Sequence, residues 1–362
     1  MSQKNNLSKN TFPSYRFSGT HRQIGQQFGE ACSERIKKHL DYALTRLQKD
    51  VKITSSQALE EAALQYQPFV TKYAPSFDEE IRGVSEGAGI SLAEAYFLQL
   101  RAEMYQHFDP ADHECTTFAV LSEASNDGTP LIGQNVDLHS FYTDCNVVVE
   151  IVPNDGPAFL MLTPAGQVSF VGINNRGMGV FGNFITCDGW RVGFPRYMLS
   201  RLALTKNSLS EAVSTLENVH RASSRNLIMM DHSGKAIDLE VVPTRLAAIE
   251  PEDGLLAHSN HFISESLLDQ EKKVGEDLVN SKARLQRMQE LLKANHGHID
   301  VTVMEEIMRD RETAPHTLCR MPGDFGTGTT SASVIAEPSK GKLWIAMGPP
   351  NQYEYKCYTF TS

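Results

Sequence analysis

The chain has 362 residues, 41% of them hydrophobic, which is a globular composition with enough apolar material for a large core. Its formal net charge is -10 and its 34 Lys and Arg are scattered rather than clustered, which argues against a nucleic-acid partner or an anionic membrane surface. Residues 1–17 lack the apolar core of a secretory signal and nowhere do 18 uncharged apolar residues run together, so a soluble cytoplasmic protein without a membrane partner is expected.

Residues 1–14 read as a flexible lead and Tyr15 to Gly19 as a short strand, after which Thr20 caps a helix running from His21 towards Leu47. Helical spacing returns over Ala58 to Tyr73. Pro75 then separates it from Phe77 to Glu86, a segment that Gly87 and Gly89 stop. Ser91 and Glu94 have the capping-box spacing and start a helix through about Tyr105. From Cys115 the pattern changes to short apolar runs: Thr116 to Leu121, Pro130 to Asn135, Asn146 to Val152, Ala158 to Thr163, Val168 to Ile173 and Gly179 to Phe184. The turn signals between them, such as Asn126-Asp127-Gly128 and Asn154-Asp155-Gly156, predict antiparallel hairpins.

Helices follow at Pro195 to Leu204 and Leu209 to Val219, then strands at Asn226 to Met230, Ala236 to Val242, Arg245 to Ile249 and Leu255 to Ala257. A charged helix from Lys282 to Ala294, with Ser281 as its N-cap, and a shorter one from Val301 to Arg309 precede strands at His316 to Cys319, Ser333 to Ala336 and Lys342 to Ala346. This order suits an α+β fold of two stacked antiparallel sheets with helices outside, four layers in all, with the helical segment 1–114 laid against a compact core of residues 115–362.

Six cysteines lie far apart with no CxxC pair, which fits reduced thiols better than a disulfide framework or a zinc knuckle. Cys115 stands where helix gives way to strand. If the bond before it were cut, it would carry both a nucleophile and an amine; a cysteine opening a strand is otherwise a small buried hydrophobe. Asp137 ends the next strand and could return beside the thiol, or simply bond its own turn. Asn183 and Asn260 interrupt apolar stretches, where a carboxamide needs partners, and could donate to an oxyanion or cap turns. Arg320, at the end of a late strand, could hold a thiolate or a substrate carboxylate. The pairs His258/His261 and His296/His298 have no third ligand in pattern, so no metal is expected.

Taken together, the Gly19 to Gly25 opening, the run Glu80 to Gly89, Cys115-Thr116-Thr117, Gly133 to Asp137 and the motifs around Asn183, Asn260 and Arg320 resemble the acyl-coenzyme A:6-aminopenicillanic acid acyltransferase family. Its relatives are the bile-salt and penicillin V hydrolases among the N-terminal nucleophile (Ntn) hydrolases. The resemblance implies an αββα sandwich and self-cleavage between Glu114 and Cys115, leaving the cut N-terminal chain as a docked partner. It also implies amide hydrolysis or acyl transfer on a small amide or thioester, with no cofactor and with acyl-coenzyme A as an acyl-donor substrate. By motif, Cys115 matches the nucleophile, Asp137 its acidic partner, Asn183 and Asn260 the oxyanion-side residues, and Arg320 the active-site Arg; one departure is Glu114, where the family commonly has Gly. Two other readings stay open: a papain-like pair of Cys115 with His258, and an inactive relative that only binds.

Overall fold

The computed structural model describes residues 7–50, 55–104, 113–326 and 328–361, without side chains at 49, 50, 113 and 114. Part of the expected flexible lead, the end of the helix expected to reach Tyr105, and the Glu114 side chain therefore lie outside the described residues.

The N-terminal segment begins with strand β1 (Ser14–Gly19). Helix α1 (His21–Ala31) follows, its Thr20 side chain accepting the Gln23 N–H while Gln23 returns to the Thr20 backbone. One long helix was expected here, but the chain turns at Cys32 and resumes as α2 (Ser33–Asp50). Likewise Ala58 to Tyr73 is two helices, α3 (Ser56–Leu64) and α4 (Gln67–Tyr73), with Pro68 starting the second. Next come α5 (Pro75–Ala88), ended by Gly89 in the left-handed region, α6 (Leu92–Gln99) and the single turn α7 (Arg101–Met104).

The helices of this segment are held by close packing and by one buried ionic cluster. A Cβ placed on Gly25 would lie 2.0 Å from the Glu80 carbonyl oxygen and one on Gly83 2.3 Å from the Arg22 oxygen, so α1 and α5 touch backbone to backbone. Beside this contact Glu80, buried, accepts His21 Nδ1 at 2.7 Å and Arg201 Nη2 at 2.7 Å. The two glycine-rich stretches singled out in the sequence thus have a packing role.

The strands then follow in chain order: β2 (His113–Val120), β3 (Leu131–His139), β4 (Asn146–Pro153) after the short helix α8 (Phe141–Cys145), β5 (Phe159–Pro164), β6 (Val171–Asn174) and β7 (Gly179–Phe181). After α9 (Arg196–Leu204) and α10 (Leu209–Asn218) come β8 (Arg225–Met230), β9 (Ala236–Val241), β10 (Leu246–Ile249) and β11 (Leu255–His258). Helices α11 (Gly275–Ala294) and α12 (Val301–Met308) lead to β12 (Gly328–Glu337), β13 (Lys342–Ala346) and β14 (Tyr355–Thr359), the last not anticipated from the sequence.

One sheet has the order β1-β4-β5-β6-β7-β8-β9-β10 and the other β11-β2-β3-β12-β13-β14. The pairs are antiparallel except for β1 with β4, so the N-terminal segment supplies an edge strand rather than only covering the core. The sheets face each other through β2 on β8 and β3 on β7; α1 and α9 pack outside the first sheet and α11 and α12 outside the second. This is the expected four-layer α+β sandwich. Strand alternation builds it: Cys115 and Ala119 of β2 join the cluster between the sheets, whereas Phe118 and Val120 join the cluster beneath α11 and α12.

Three local expectations are corrected. Residues 316–319 form bends and irregular backbone, not a strand, because their N–H groups are turned back on the preceding segment, His316 to the Thr313 oxygen at 2.9 Å and Cys319 to the Asp310 oxygen at 3.0 Å. Ser281 does not cap a helix; α11 starts six residues earlier and Ser281 is buried inside it. Cys115 is the third residue of β2 rather than its first, since Glu114 pairs with Asp137 and Cys115 with Val136. Among the described residues no helix is long and apolar enough to cross a membrane.

Candidate active site

Cys115 lies on the face of β2 turned towards the other sheet and is 5% exposed. Its sulfur is engaged by the backbone N–H of Asp137 and the side chain of Gln134. Burial, and then the Asp137 carboxylate, push the thiol up to about 11, while those two hydrogen bonds and the Arg284 guanidinium pull the other way. Such a thiol is almost wholly protonated near neutral pH and needs a base to react.

Its backbone nitrogen is held by a residue far along the chain. The Cys115 N–H donates to Asn260 Oδ1 at 2.8 Å, and Asn260 Nδ2 donates to the Phe184 oxygen at 2.8 Å. Asn260 lies two residues past the end of β11, and its own N–H is fixed by the buried hydroxyl of Ser281 at 2.8 Å. Asn260 therefore reaches Cys115 with its carboxamide oxygen, a contact that its reading as an oxyanion donor did not foresee.

Arg284 completes this arrangement. One turn after Ser281 on the buried face of α11, it donates from Nη1 to the Cys115 oxygen at 2.7 Å and to Thr116 Oγ1 at 2.8 Å, and from Nη2 to Asn260 Oδ1 at 2.8 Å. The sequence reading missed Arg284. The signal was available: Ser281, Leu285, Met288 and Leu292 recur at helical spacing and are buried, which puts Arg284 on the inward face.

The remaining candidates fall into two groups. Asp137 Oδ1 accepts the Thr330 hydroxyl at 2.7 Å, and that hydroxyl oxygen accepts the Arg320 backbone N–H, so Thr330 links Asp137 to the backbone of Arg320. The guanidinium of Arg320 is buried, its carbon 5.7 Å from the centre of the Phe325 ring. Asn183 lies two residues beyond β7. Its Nδ2 donates to Thr117 Oγ1 at 2.8 Å and to Asn226 Oδ1 at 3.0 Å, so both of its hydrogens are used within the fold. Donation by Asn183 to an oxyanion requires one of these bonds to be given up.

His258 is wholly buried with both ring nitrogens engaged, Nε2 with Glu240 Oε1 at 2.8 Å and Nδ1 with the Ser259 oxygen at 2.8 Å. Burial opposes its charge, but Asp238 and Glu240 raise it to about 9. An imidazolium with both nitrogens donating has no lone pair for a thiol proton. Among the described residues no group of three or more His, Cys, Asp or Glu is arranged to hold a metal. A surface cleft of about 420 Å³, bordered by His21, Phe77, Asp155 and Arg201, includes none of the candidate residues.

Comparison with known proteins adds the following. The family model described as acyl-coenzyme A:6-aminopenicillanic acid acyl-transferase matches residues 124–352, beginning just after Cys115. The chain is 27% identical over 338 residues to the 40 kDa form of acyl-coenzyme A:6-aminopenicillanic-acid-acyltransferase from Emericella nidulans, covering 92% of each. Among solved structures, a mutant conjugated bile acid hydrolase from Clostridium perfringens aligns with a TM-score of 0.46 and 15% identity, covering 68% of this chain and 97% of that one. Penicillin V acylase from Agrobacterium tumefaciens aligns with a TM-score of 0.43 and 11% identity, covering 64% and 82% respectively.

Proposed function

The chain belongs to the acyl-coenzyme A:6-aminopenicillanic acid acyl-transferase family, and from that membership we infer that it is a self-processing enzyme that hydrolyses amides or transfers acyl groups through a thioester on Cys115. In the first step the Cys115 thiol attacks the Glu114 carbonyl. The peptide bond to the Cys115 nitrogen breaks as the thioester forms, and water then releases a carboxylate at residue 114 and a free amine and thiol at Cys115.

The observation that carries this reading is the hydrogen bond from the Cys115 nitrogen to Asn260 Oδ1. The nitrogen that would become the α-amine already has a fixed acceptor, so one of its hydrogens is oriented before the cut and stays oriented after it. An unperturbed α-amine has a pKa of about 7.7–8.0, near working pH, whereas the thiol in this setting sits at about 11. The amine is therefore suited to take the thiol proton as sulfur attacks a substrate carbonyl, and to return it to the leaving amine. Arg284, close to both sulfur and nitrogen, favours the thiolate and the neutral amine. Water or an acceptor amine then resolves the acyl-enzyme. Acyl-coenzyme A would enter as an acyl donor, bringing no separate cofactor chemistry.

Intact mass under denaturing conditions tests the reading: chains of 114 and 248 residues are expected, the second beginning at Cys115. Cys115→Ala should remain whole and inactive. An unmodified chain that stays whole and yet hydrolyses amides overturns the amine as base. One that stays whole and turns nothing over favours a binding protein instead.

A further inference from the structure

Three buried arginines surround a single tyrosine beside the thiol. The guanidinium carbons of Arg101, Arg196 and Arg225 lie 5.5, 5.5 and 5.2 Å from the centre of the Tyr197 ring, and all three side chains are 2% exposed or less. Few of their donors are used. Nε, Nη1 and Nη2 of Arg196, Nε and Nη2 of Arg225, and Nε and Nη1 of Arg101 have no hydrogen-bond partner among the described residues. Glu103 is a carboxylate that acts on the charges of Arg196 and Arg225, and its Oε1 is occupied by the Arg196 backbone N–H at 2.8 Å and the Ser223 hydroxyl at 2.9 Å.

Two contacts tie the cluster to Cys115. Arg196 stacks on Phe184 with its guanidinium carbon 4.1 Å from the ring centre, and the Phe184 oxygen holds Asn260, which holds the Cys115 nitrogen. Arg225 Nε lies where a Cβ on Gly182 would come within 3.0 Å of it, and the Gly182 oxygen accepts Gln134, which also engages the Cys115 sulfur. The thiol is in turn among the groups that act on the charges of Arg196 and Arg225.

Buried guanidiniums are costly unless an anion meets them, and planar, forked donors suit a carboxylate. We propose that Arg196 and Arg225, backed by Arg101 across Tyr197, form an anion site beside Cys115 that recognises a carboxylate on the substrate. The location as a substrate site rests on the reading of Cys115 as the acylated residue; binding of the anion does not. The carboxylate belongs either to the acyl half or to the amine half of the substrate, and the site chemistry is the same for both.

The test uses the full-length protein, its state of cleavage read by intact mass. Glutarate should raise Tm above the value in sodium chloride of equal ionic strength, and 1,5-pentanediol, uncharged and of the same length, should not. The shift should vanish in Arg225→Gln and shrink in Arg196→Gln. Without ligand, Arg225→Gln should not melt below the parent, since it removes a buried charge that Arg196 repels. A shift equal to that in chloride, or one surviving in both variants, overturns the site. Turnover of three anilides then assigns the half: pentananilide is neutral, glutaranilic acid carries the carboxylate on the acyl side, and 4-(pentanoylamino)benzoate carries it on the amine side. One charged anilide should exceed pentananilide at least tenfold in kcat/KM, with that ratio falling below threefold in Arg225→Gln. If neither exceeds it, the substrate assignment fails. A protein stabilised by glutarate that never acylates Cys115 would overturn the thiol reading and leave the anion site standing.

Discussion

Asn260 Oδ1 accepts the backbone N–H of Cys115 at 2.8 Å, across 145 residues of chain. The geometry makes Asn260 an acceptor for the future amine, and Asp and Ala replacements separate that role from a donor role. Asn260→Ala should lower turnover by about 10² to 10³, the range for loss of one preorganised active-site hydrogen bond. Asn260→Asp keeps an acceptor but adds a negative charge, which favours the ammonium form and raises the amine's pKa. Its activity should therefore be low at pH 7 and recover towards pH 9. An Asp variant as inactive as Ala throughout this range would assign the effect to the lost Nδ2 donor.

Arg284 should act as a positioning residue with an electrostatic signature. Its guanidinium contacts the Cys115 oxygen and Asn260 Oδ1, and it opposes the rise of the thiol pKa. Arg284→Met removes that cation, so thiol and amine both move up and the rising limb of the pH profile of kcat/KM should shift to higher pH by about one unit. Arg284→Lys should restore part of the shift but not the paired geometry. A uniform loss with no change in the profile would mark a purely structural role, which a thermal melt would register as lower Tm.

His258 should matter for stability and not for proton transfer. Its folded value of about 9 lies above the ordinary 6.5, so the folded state binds its proton more tightly. The stabilisation is fully present below pH 6.5 and is lost as pH rises through 9, on the order of 3 kcal/mol in all. His258→Gln should flatten the fall of Tm between pH 7 and 9 and leave turnover in the folded fraction within a few-fold of the parent. If folded, processed His258→Gln is as inactive as Cys115→Ala, the base is the imidazole.

Gly83→Ala probes how the N-terminal segment is held. Its new Cβ would sit 2.3 Å from the Arg22 oxygen and 2.6 Å from the Gln26 nitrogen, both backbone atoms that cannot move without parting α1 from α5. A loss of about 1–3 kcal/mol or more is expected, read as a lower Tm. In a processed protein the chain of residues 1–114 should also come away from the core at lower urea than in the parent. An unchanged melt would show that the helix pair can relax without cost.

The sequence by itself determined whatever repeats with a local period. Helical spacing and caps placed most helices, and turn signals with apolar runs placed most strands of both sheets, because these patterns depend on residues a few positions apart. The motifs around Cys115 and Asp137 were legible for the same reason, being short and continuous. The tertiary structure decided what depends on layers meeting. It put β1 parallel to β4, drew Arg284 from a helix read only as charged, and turned the oxygen of Asn260 towards the Cys115 nitrogen. It also gathered Arg101, Arg196 and Arg225 from three separate elements around Tyr197. No local pattern encodes these contacts, since each joins segments whose separation is fixed only when the sheets stack and the helices close over them.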